Sequence, residues 1–200
     1  FTRDAYHRLA VYNLDGTFDR DIPLPAIGSI AVITARQNSS EMFINFDSFL
    51  YPPTIYRYDF TAQELSVFRK PNLDLHTDDY QTTQIFFTSK DGTRVPMFLT
   101  HKKSLVRDRQ NPTLLYGYGG FNVNLTPFFS VSNFHWVEKG GVLAWANLRG
   151  GNEYGEAWHE AGMLGNKQNV FDDFIAAGEW LIANQYTTSS KLGIMGASNG

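Results

Sequence analysis

Residues 191–200 of the chain are "KLGIMGASNG". Its apolar run ends in Ile194 and Met195, as a short buried strand often does. Gly196, Ser198 and Gly200 then spell the pattern G-x-S-x-G. At average residue frequencies, this pattern arises by chance in about one chain in fifteen of this length. The pattern alone is therefore weak, and the residues before it must supply the context.

The residues from about 112 onward predict strands that alternate with helices. "PTLLYGY", "GVLAWAN" and "KLGIM" are strand-like, and apolar residues three and four apart predict a helix over 170–184. We expect Asn169 to cap this helix, and Asp172 and Asp173 to interact favourably with its dipole. A G-x-S-x-G pattern directly after a strand of such a series is typical of a nucleophile elbow, in which a strained turn exposes the serine. Ser198 is therefore the candidate nucleophile.

The first seventy or so residues differ, because they predict only short strands separated by turn-forming residues. This spacing suits a β-sandwich or the blades of a propeller, and it does not choose between them. A polar connector, "KPNLDLHTDDY", follows these strands. The next segment, "QTTQIFFTSKDGTRVPMFLTHKK", predicts a hairpin with its turn at residues 90–93.

Composition excludes several classes of function. The formal net charge is −3 and Lys and Arg occur in no run longer than two residues, so we expect no nucleic-acid partner. No stretch reaches the roughly 20 apolar residues of a membrane span, so we expect no membrane partner. The chain has no cysteine, which excludes disulfides and fits the cytoplasm, with a bacterial periplasm as the alternative. Phe1 in place of Met indicates that the native chain begins earlier.

A serine nucleophile also needs an oxyanion hole, a set of hydrogen-bond donors for the oxygen that becomes negative during acyl transfer. The first donor is expected to be the backbone N–H of Asn199, the residue after the nucleophile. The second usually comes from the loop after an earlier strand. Here that loop is "YGYGGFN", where Gly117, Gly119 and Gly120 allow unusual backbone angles and bring Tyr118 toward the strand ends.

Four stretches in this order resemble the prolyl oligopeptidases, a family of serine peptidases: "LLYGYGGFN" at 114–122, "ANLRGGNEYGEAWHEAG" at 146–162, "NKQNVFDDF" at 166–174 and "GASNG" at 196–200. The resemblance extends from about residue 75 to residue 200. The "YGYGGF" stretch is less similar to the sister family of basic-residue oligopeptidases. The proline-directed branch is therefore favoured.

The resemblance implies a fold and a set of roles. It implies that residues 1–72 are the terminal blades of a β-propeller and that residues 73–200 are the first part of an α/β-hydrolase catalytic domain. Ser198 matches the family's nucleophile, and Asn199 supplies an oxyanion-hole N–H. Tyr118 matches the tyrosine whose hydroxyl is the second oxyanion donor, and Phe121 matches an aromatic residue of the proline pocket. The implied substrate is a short proline-containing peptide, cleaved after proline.

Other interpretations of these residues stay open at this point. Tyr118 and Phe121 could be ordinary core or loop aromatics, and we expect Arg149 and Glu153 to form a structural ion pair. All five histidines precede Ser198, whereas the triad order of an α/β-hydrolase is Ser, then Asp or Glu, then His. The triad acid and base are therefore expected beyond residue 200, and these residues alone are expected to be inactive. We expect no cofactor and no metal.

Three functions compete. The leading one is a monomeric serine endopeptidase that acts through an acyl-enzyme. A related one is a peptide macrocyclase that transfers the acyl group to an amine of the same peptide. The third is a non-catalytic protein whose propeller and hydrolase-like domain form a recognition surface.

Overall fold

A computed structural model describes all of residues 1–200 as thirteen strands and three α-helices. The strands are β1 (Thr2–Arg3), β2 (Tyr6–His7), β3 (Leu9–Tyr12), β4 (Phe18–Ile22), β5 (Ser29–Ala35), β6 (Glu41–Asp47), β7 (Thr54–Asp59), β8 (Glu64–Arg69), β9 (Tyr80–Thr88), β10 (Arg94–Lys102), β11 (Thr113–Tyr116), β12 (Val142–Ala146) and β13 (Leu192–Met195). The helices are α1 (Val131–Glu138), α2 (Glu156–Glu160) and α3 (Gln168–Ala183), with 3-10 turns at Thr77–Asp79 and Leu164–Asn166. None of the three helices combines the length and the apolar composition of a membrane-spanning segment.

The chain divides into two compact units, and the first comprises residues 1–76 and 126–130. Its main sheet has four strands in the order β5-β6-β7-β8, each antiparallel to the next. Alternate residues of β6 are buried, which is the pattern of a strand with one face on a core. That core is formed by Ile22, Met42, Ile44, Phe46, Tyr56 and Tyr58. The predicted all-β character of this region is therefore confirmed.

The second unit comprises residues 77–125 and 131–200, and it contains a five-stranded sheet in the order β13-β11-β12-β10-β9. Strands β11, β12 and β13 are parallel, whereas β9 and β10 are antiparallel to their neighbours. β9 and β10 form the predicted hairpin, with the Ser89 N–H bonded to the Thr93 carbonyl at 2.8 Å. Gly92 has φ +87°, which glycine adopts without a steric penalty.

Helices cover both faces of this sheet. Val170, Ala177 and Leu181 of α3 pack with Met97, Leu99 and Ala144 of the sheet. Phe134 of α1 packs against Tyr80, at 5.5 Å between ring centroids, and the pairing register places Tyr80 on the opposite face from Met97 and Leu99. Every residue of β12 is consequently buried. This layering of helix, sheet and helix leaves the ends of the parallel strands free to carry a site.

The start of α3 differs from the prediction. The helix begins at Gln168, and Lys167 precedes it with no side-chain cap. Asn169 does not cap the helix, because its Nδ2 donates to the Ala161 carbonyl at 2.9 Å. Asp173 is wholly buried beside Arg149 and serves that ion pair rather than the helix dipole.

Candidate active site

Three loops meet at one edge of the five-stranded sheet, because β11, β12 and β13 are parallel and end on the same side. The loop after β11 carries Tyr118 and Phe121, the loop after β12 carries Arg149, and the turn after β13 carries Ser198. The structure therefore gathers the stretches that the sequence separates by up to about eighty residues.

The turn at residues 196–200 has the geometry of an elbow. Ser198 has φ +55°, a left-handed conformation that residues other than glycine rarely adopt. The Gly200 N–H bonds back to the Ala197 carbonyl at 2.9 Å. A Cβ atom at Gly196 would lie 2.4 Å from the carbonyl carbon of Gly200, and one at Gly200 would lie 2.4 Å from the Gly117 oxygen. Both glycines are therefore sterically required by this turn.

Two polar groups of the elbow have no hydrogen-bond partner in the chain. Ser198 is exposed and its hydroxyl bonds to no group of the chain. The backbone N–H of Asn199 also donates to no group of the chain, whereas the Asn199 side chain is fully engaged. Its Nδ2 donates to the carbonyls of Tyr118, at 2.5 Å, and Gly119, at 3.1 Å. The side chain of Asn199 thus ties the elbow to the loop after β11.

The loop after β11 has an unusual backbone, because Gly119, Phe121 and Asn122 all have positive φ values. Tyr118 is half-buried, and its hydroxyl makes no hydrogen bond within the chain. Phe121 is 74% exposed, so its ring is not a core aromatic. The Asn122 N–H donates to the Gly150 carbonyl at 3.2 Å, which holds this loop against the loop after β12.

Arg149 forms a buried ion-pair network, but its partner is not Glu153. Its guanidinium donates to Asp173, at 2.6 Å from Nη2, and to Asp91 in the hairpin turn. Nη1 also donates to Thr93 Oγ1 at 3.1 Å. The hydrogen bond from Arg149 holds the pKa of Asp91 well below its usual range. The predicted pair of Arg149 with Glu153 is therefore wrong, because the carboxylates of Asp173 and Asp91 occupy the guanidinium.

Glu153 instead supports the loop that follows Phe121. Its Oε1 accepts from the Leu125 N–H at 3.0 Å and from Asn147 Nδ2 at 3.2 Å. Burial raises the pKa of this carboxyl group. No cation lies against it, so Glu153 acts as an acceptor within the loop framework and not as half of an ion pair.

None of the histidines in this unit bonds to Ser198. His101 Nδ1 lies 2.8 Å from the Lys102 carbonyl oxygen, and His135 pairs with Glu138 in α1. His159 Nδ1 lies 2.7 Å from the Gly150 carbonyl oxygen. The elbow therefore has no general base among these three residues.

An open cavity of about 300 Å³ is lined partly by residues of the elbow. Its walls are mainly apolar and include Leu148, Val170, Phe174, Tyr118 and Asn199. Ser198 and Phe121 do not line it. The cavity therefore contacts the elbow through Gly196, Asn199 and Gly200 and not through Ser198.

Two family models match this chain, one in each half. The model of the prolyl oligopeptidase N-terminal β-propeller domain matches residues 1–71, and the model of the prolyl oligopeptidase family matches residues 127–200. The chain is 42% identical over its 200 residues to the prolyl endopeptidase of Elizabethkingia meningoseptica, and these residues cover 28% of that relative. The chain belongs to the prolyl oligopeptidase family.

Other prolyl oligopeptidases agree with this assignment. A dual function macrocyclase-peptidase of Amanita bisporigera is 46% identical over 176 residues, which are 86% of this chain and 24% of that protein. A solved structure from a study of two prolyl endopeptidases superposes with a TM-score of 0.89 at 45% identity, covering 100% of this chain and 29% of its own. Prolyl oligopeptidase B of Galerina marginata, bound to a 35mer hydrolysis and macrocyclization substrate, gives 0.88 at 37% identity, covering 100% and 28%.

These matches define the fold as a β-propeller followed by an α/β-hydrolase domain, as expected. The chain spans about a quarter of the length of the relatives named above, from 24% to 29%. The candidate site residues Ser198, Asn199, Tyr118 and Phe121 lie in the loops at one edge of the sheet. Lys167 was not among the candidates, although its Nζ reaches both the elbow and the Tyr118 loop. Its place in "NKQNVFDDF" was the only available signal.

Proposed function

We propose that the whole protein is a serine endopeptidase that cleaves short peptides on the carboxyl side of proline. The observation that carries the proposal is the elbow itself: an exposed Ser198 at φ +55°, between two glycines that tolerate no side chain. Strain of this kind costs about 1–3 kcal/mol and persists only where the surrounding structure enforces it. It holds the Ser198 hydroxyl at the tip of the turn, accessible to a base and a substrate.

In the proposed mechanism, Ser198 Oγ attacks the carbonyl carbon of the substrate's proline residue. The peptide bond after proline then breaks, the amine leaves, and an acyl-enzyme remains. The Asn199 N–H and the Tyr118 hydroxyl bind the negative oxygen of the tetrahedral intermediate. Both donors are without a partner in the chain, which an oxyanion donor must be before substrate binds. The base and the acid that orients it are proposed to lie beyond these 200 residues.

Phe121 is proposed to contact the proline ring of the substrate. Its exposed aromatic ring offers a flat apolar surface, which suits a rigid apolar ring. The positive φ of Phe121 fixes the direction in which the side chain leaves the loop. Discrimination between proline and alanine at this subsite would then come from apolar contact area rather than from hydrogen bonds.

The test is cleavage of a chromogenic Gly-Pro amide by the full-length protein and by its Ser198→Ala variant. We expect turnover by the wild type and none above background by the variant. A Gly-Ala amide is the substrate control, and we expect it to react more slowly by about tenfold or more. Equal turnover by wild type and Ser198→Ala would overturn the proposal.

Macrocyclisation is the second candidate, favoured by the 46% identity to a protein named as a dual function macrocyclase-peptidase. The same acyl-enzyme would then be attacked by the amine of the bound peptide instead of by water. Mass spectrometry of a proline-containing precursor peptide distinguishes the two outcomes. In both cases the tail after proline leaves as the amine when the acyl-enzyme forms. A product one water lighter than the linear acyl-donating segment indicates cyclisation, whereas the linear segment itself, which has gained one water from hydrolysis of the acyl-enzyme, indicates hydrolysis.

A non-catalytic binding protein is the remaining alternative, and reaction with a fluorophosphonate probe separates it from the enzymes.

We further propose the domain division expected from the sequence, with propeller blades over 1–72 and the hydrolase domain from 73. A monomer in the cytoplasm completes the proposal, since the absence of cysteine fits a reducing compartment. Sedimentation of the full-length protein tests the monomer.

A further inference from the structure

Lys167 lies immediately before α3 and connects two segments that are distant in sequence. Its Nζ donates to the Gly119 carbonyl at 2.8 Å and to Asn199 Oδ1 at 2.9 Å. Gly119 follows Tyr118, and Asn199 follows Ser198. One ammonium group therefore bonds to the residue after Tyr118 and to the side chain of Asn199, whose backbone N–H is the other proposed oxyanion donor.

The Asn199 amide completes the connection. Its Nδ2 donates to the carbonyls of Tyr118 and Gly119, so the Gly119 oxygen accepts from both Lys167 and Asn199. The contact is close, because a Cβ atom at Gly120 would lie only 2.4 Å from Asn199 Nδ2. Lys167, Asn199 and the two carbonyls thus fix the orientation of the peptide units on both sides of Gly119.

The placement of Lys167 differs from that of a surface lysine. Its side chain is half-buried and forms no salt bridge with a carboxylate. Burial lowers the pKa of its ammonium group, so the charge is held at a cost in solvation. Its acceptors are a backbone carbonyl and a side-chain amide, both within the proposed site. Its charge is therefore directed at the junction of the elbow and the Tyr118 loop.

We propose that Lys167 is a positioning residue that locks the Tyr118 loop against the elbow, so that the Tyr118 hydroxyl and the Asn199 N–H converge on one oxyanion. The inference rests on the proposed peptidase function. Lys167 does not need to touch substrate, because it acts through the two residues that would. Displacement of a catalytic group by about 1 Å can reduce the rate by about 10²-fold, so the loss of such a lock is measurable.

The first test is Lys167→Met in the full-length protein. Methionine keeps an unbranched apolar stem and removes every donor. We expect kcat on the Gly-Pro amide to fall by about tenfold or more, with KM changed by less than about threefold, because oxyanion binding acts in the transition state. Lys139→Met is the matched control, since Lys139 is exposed beyond α1, and it should keep wild-type kcat.

The second test is a double-mutant cycle between Lys167→Met and Tyr118→Phe. If Lys167 acts by positioning Tyr118, its loss should cost little once the hydroxyl is absent, and the double variant should stay within about threefold of Tyr118→Phe. Two losses that multiply fully would overturn the inference, as would wild-type kcat in Lys167→Met. If the methionine variant does not fold, Lys167→Gln, which keeps a donor but no charge, takes its place, and the kcat values of the single and double variants are compared in the same way.

The result also separates this inference from the proposed function. No turnover by the wild-type protein would refute the peptidase, whatever the lysine does. Turnover by the wild type with an unaffected Lys167→Met variant would refute only the positioning role. The rate of fluorophosphonate labelling at Ser198 gives a second readout that is independent of proline specificity, and it should fall in Lys167→Met and not in Lys139→Met.

Discussion

Asp173→Ala is expected to be among the most destabilising substitutions near the site. The Asp173 side chain is fully buried and the Arg149 side chain is 4% exposed. Asp173 accepts from Arg149 Nη2 at 2.6 Å and from the Arg149 backbone N–H at 3.0 Å. Removal of one partner of a buried ion pair costs about 3–5 kcal/mol, because the other charge stays buried without compensation. We expect a loss near 3 kcal/mol, since Asp91 still faces the guanidinium.

The matched control is Asp91→Ala, which removes the other carboxylate of the same arginine. Its side chain is 45% exposed, so solvent screens the pair and the cost should be about 1 kcal/mol or less. The assay is urea unfolding of the full-length protein followed by tryptophan fluorescence. With a urea m value of about 3 kcal/mol/M, Asp173→Ala should lower the midpoint of the unfolding transition of this domain by about 1 M.

A double substitution refines the test. Arg149→Met with Asp173→Leu removes both buried charges, and we expect it to be more stable than Asp173→Ala alone. A shift of the midpoint in Asp173→Ala no larger than that in Asp91→Ala would contradict the expected cost of an unpaired buried charge. So would a double variant whose loss of stability equals the sum of the losses of its two single variants.

Three further predictions concern the site and its support. Tyr118→Phe should lower kcat by about 10²-fold without changing the unfolding midpoint, as for loss of one oxyanion donor; a wild-type rate would assign Tyr118 to packing. Gly196→Ala should abolish turnover because its Cβ would lie 2.4 Å from Gly200, whereas Gly193→Ala, whose Cβ meets its nearest atom at 3.5 Å, should be tolerated; equal turnover in both variants would contradict the elbow geometry. Burial raises the pKa of Glu153 above its ordinary 4.5, so its contribution to the free energy of unfolding is full below pH 4.5 and is lost as the pH rises through the raised pKa. In urea titrations, the stability of Glu153→Gln relative to wild type should therefore increase between about pH 4.5 and neutrality. A difference in stability that does not change with pH would contradict this.

Much of the fold could be predicted from local pattern. The hairpin at residues 80–102 follows from two apolar runs around a turn with a glycine at positive φ. Helix α3 follows from apolar residues three and four apart, and the observed Gln168–Ala183 lies close to the predicted 170–184. The four-stranded sheet of the first unit could not be assigned to a sandwich or a propeller, because both use short antiparallel strands with the same alternation.

Part of the candidate site could likewise be predicted from the sequence, and part could not. Ser198 and Asn199 follow from a short motif next to a strand, so their local geometry was accessible to sequence reasoning. The partners of Arg149 were not, because Asp91 and Asp173 lie 58 and 24 residues away and meet only in the folded sheet. Asn169 and Asp173 are residues that often begin a helix. In the folded chain, however, the Asn169 side chain donates to the Ala161 carbonyl, and the Asp173 side chain accepts from the Arg149 N–H. Local propensity was overridden by long-range contacts at each of these positions.

Mapping the residue that a fluorophosphonate modifies in the folded, full-length protein tests directly whether Ser198 is the nucleophile. We expect one stable adduct, located by peptide mass spectrometry on Ser198, and no adduct when the protein is denatured before labelling. We also expect a proline-containing peptide to slow the labelling. A folded protein that hydrolyses the Gly-Pro amide but carries its adduct on another serine, or on none, would show that Ser198 is not the nucleophile.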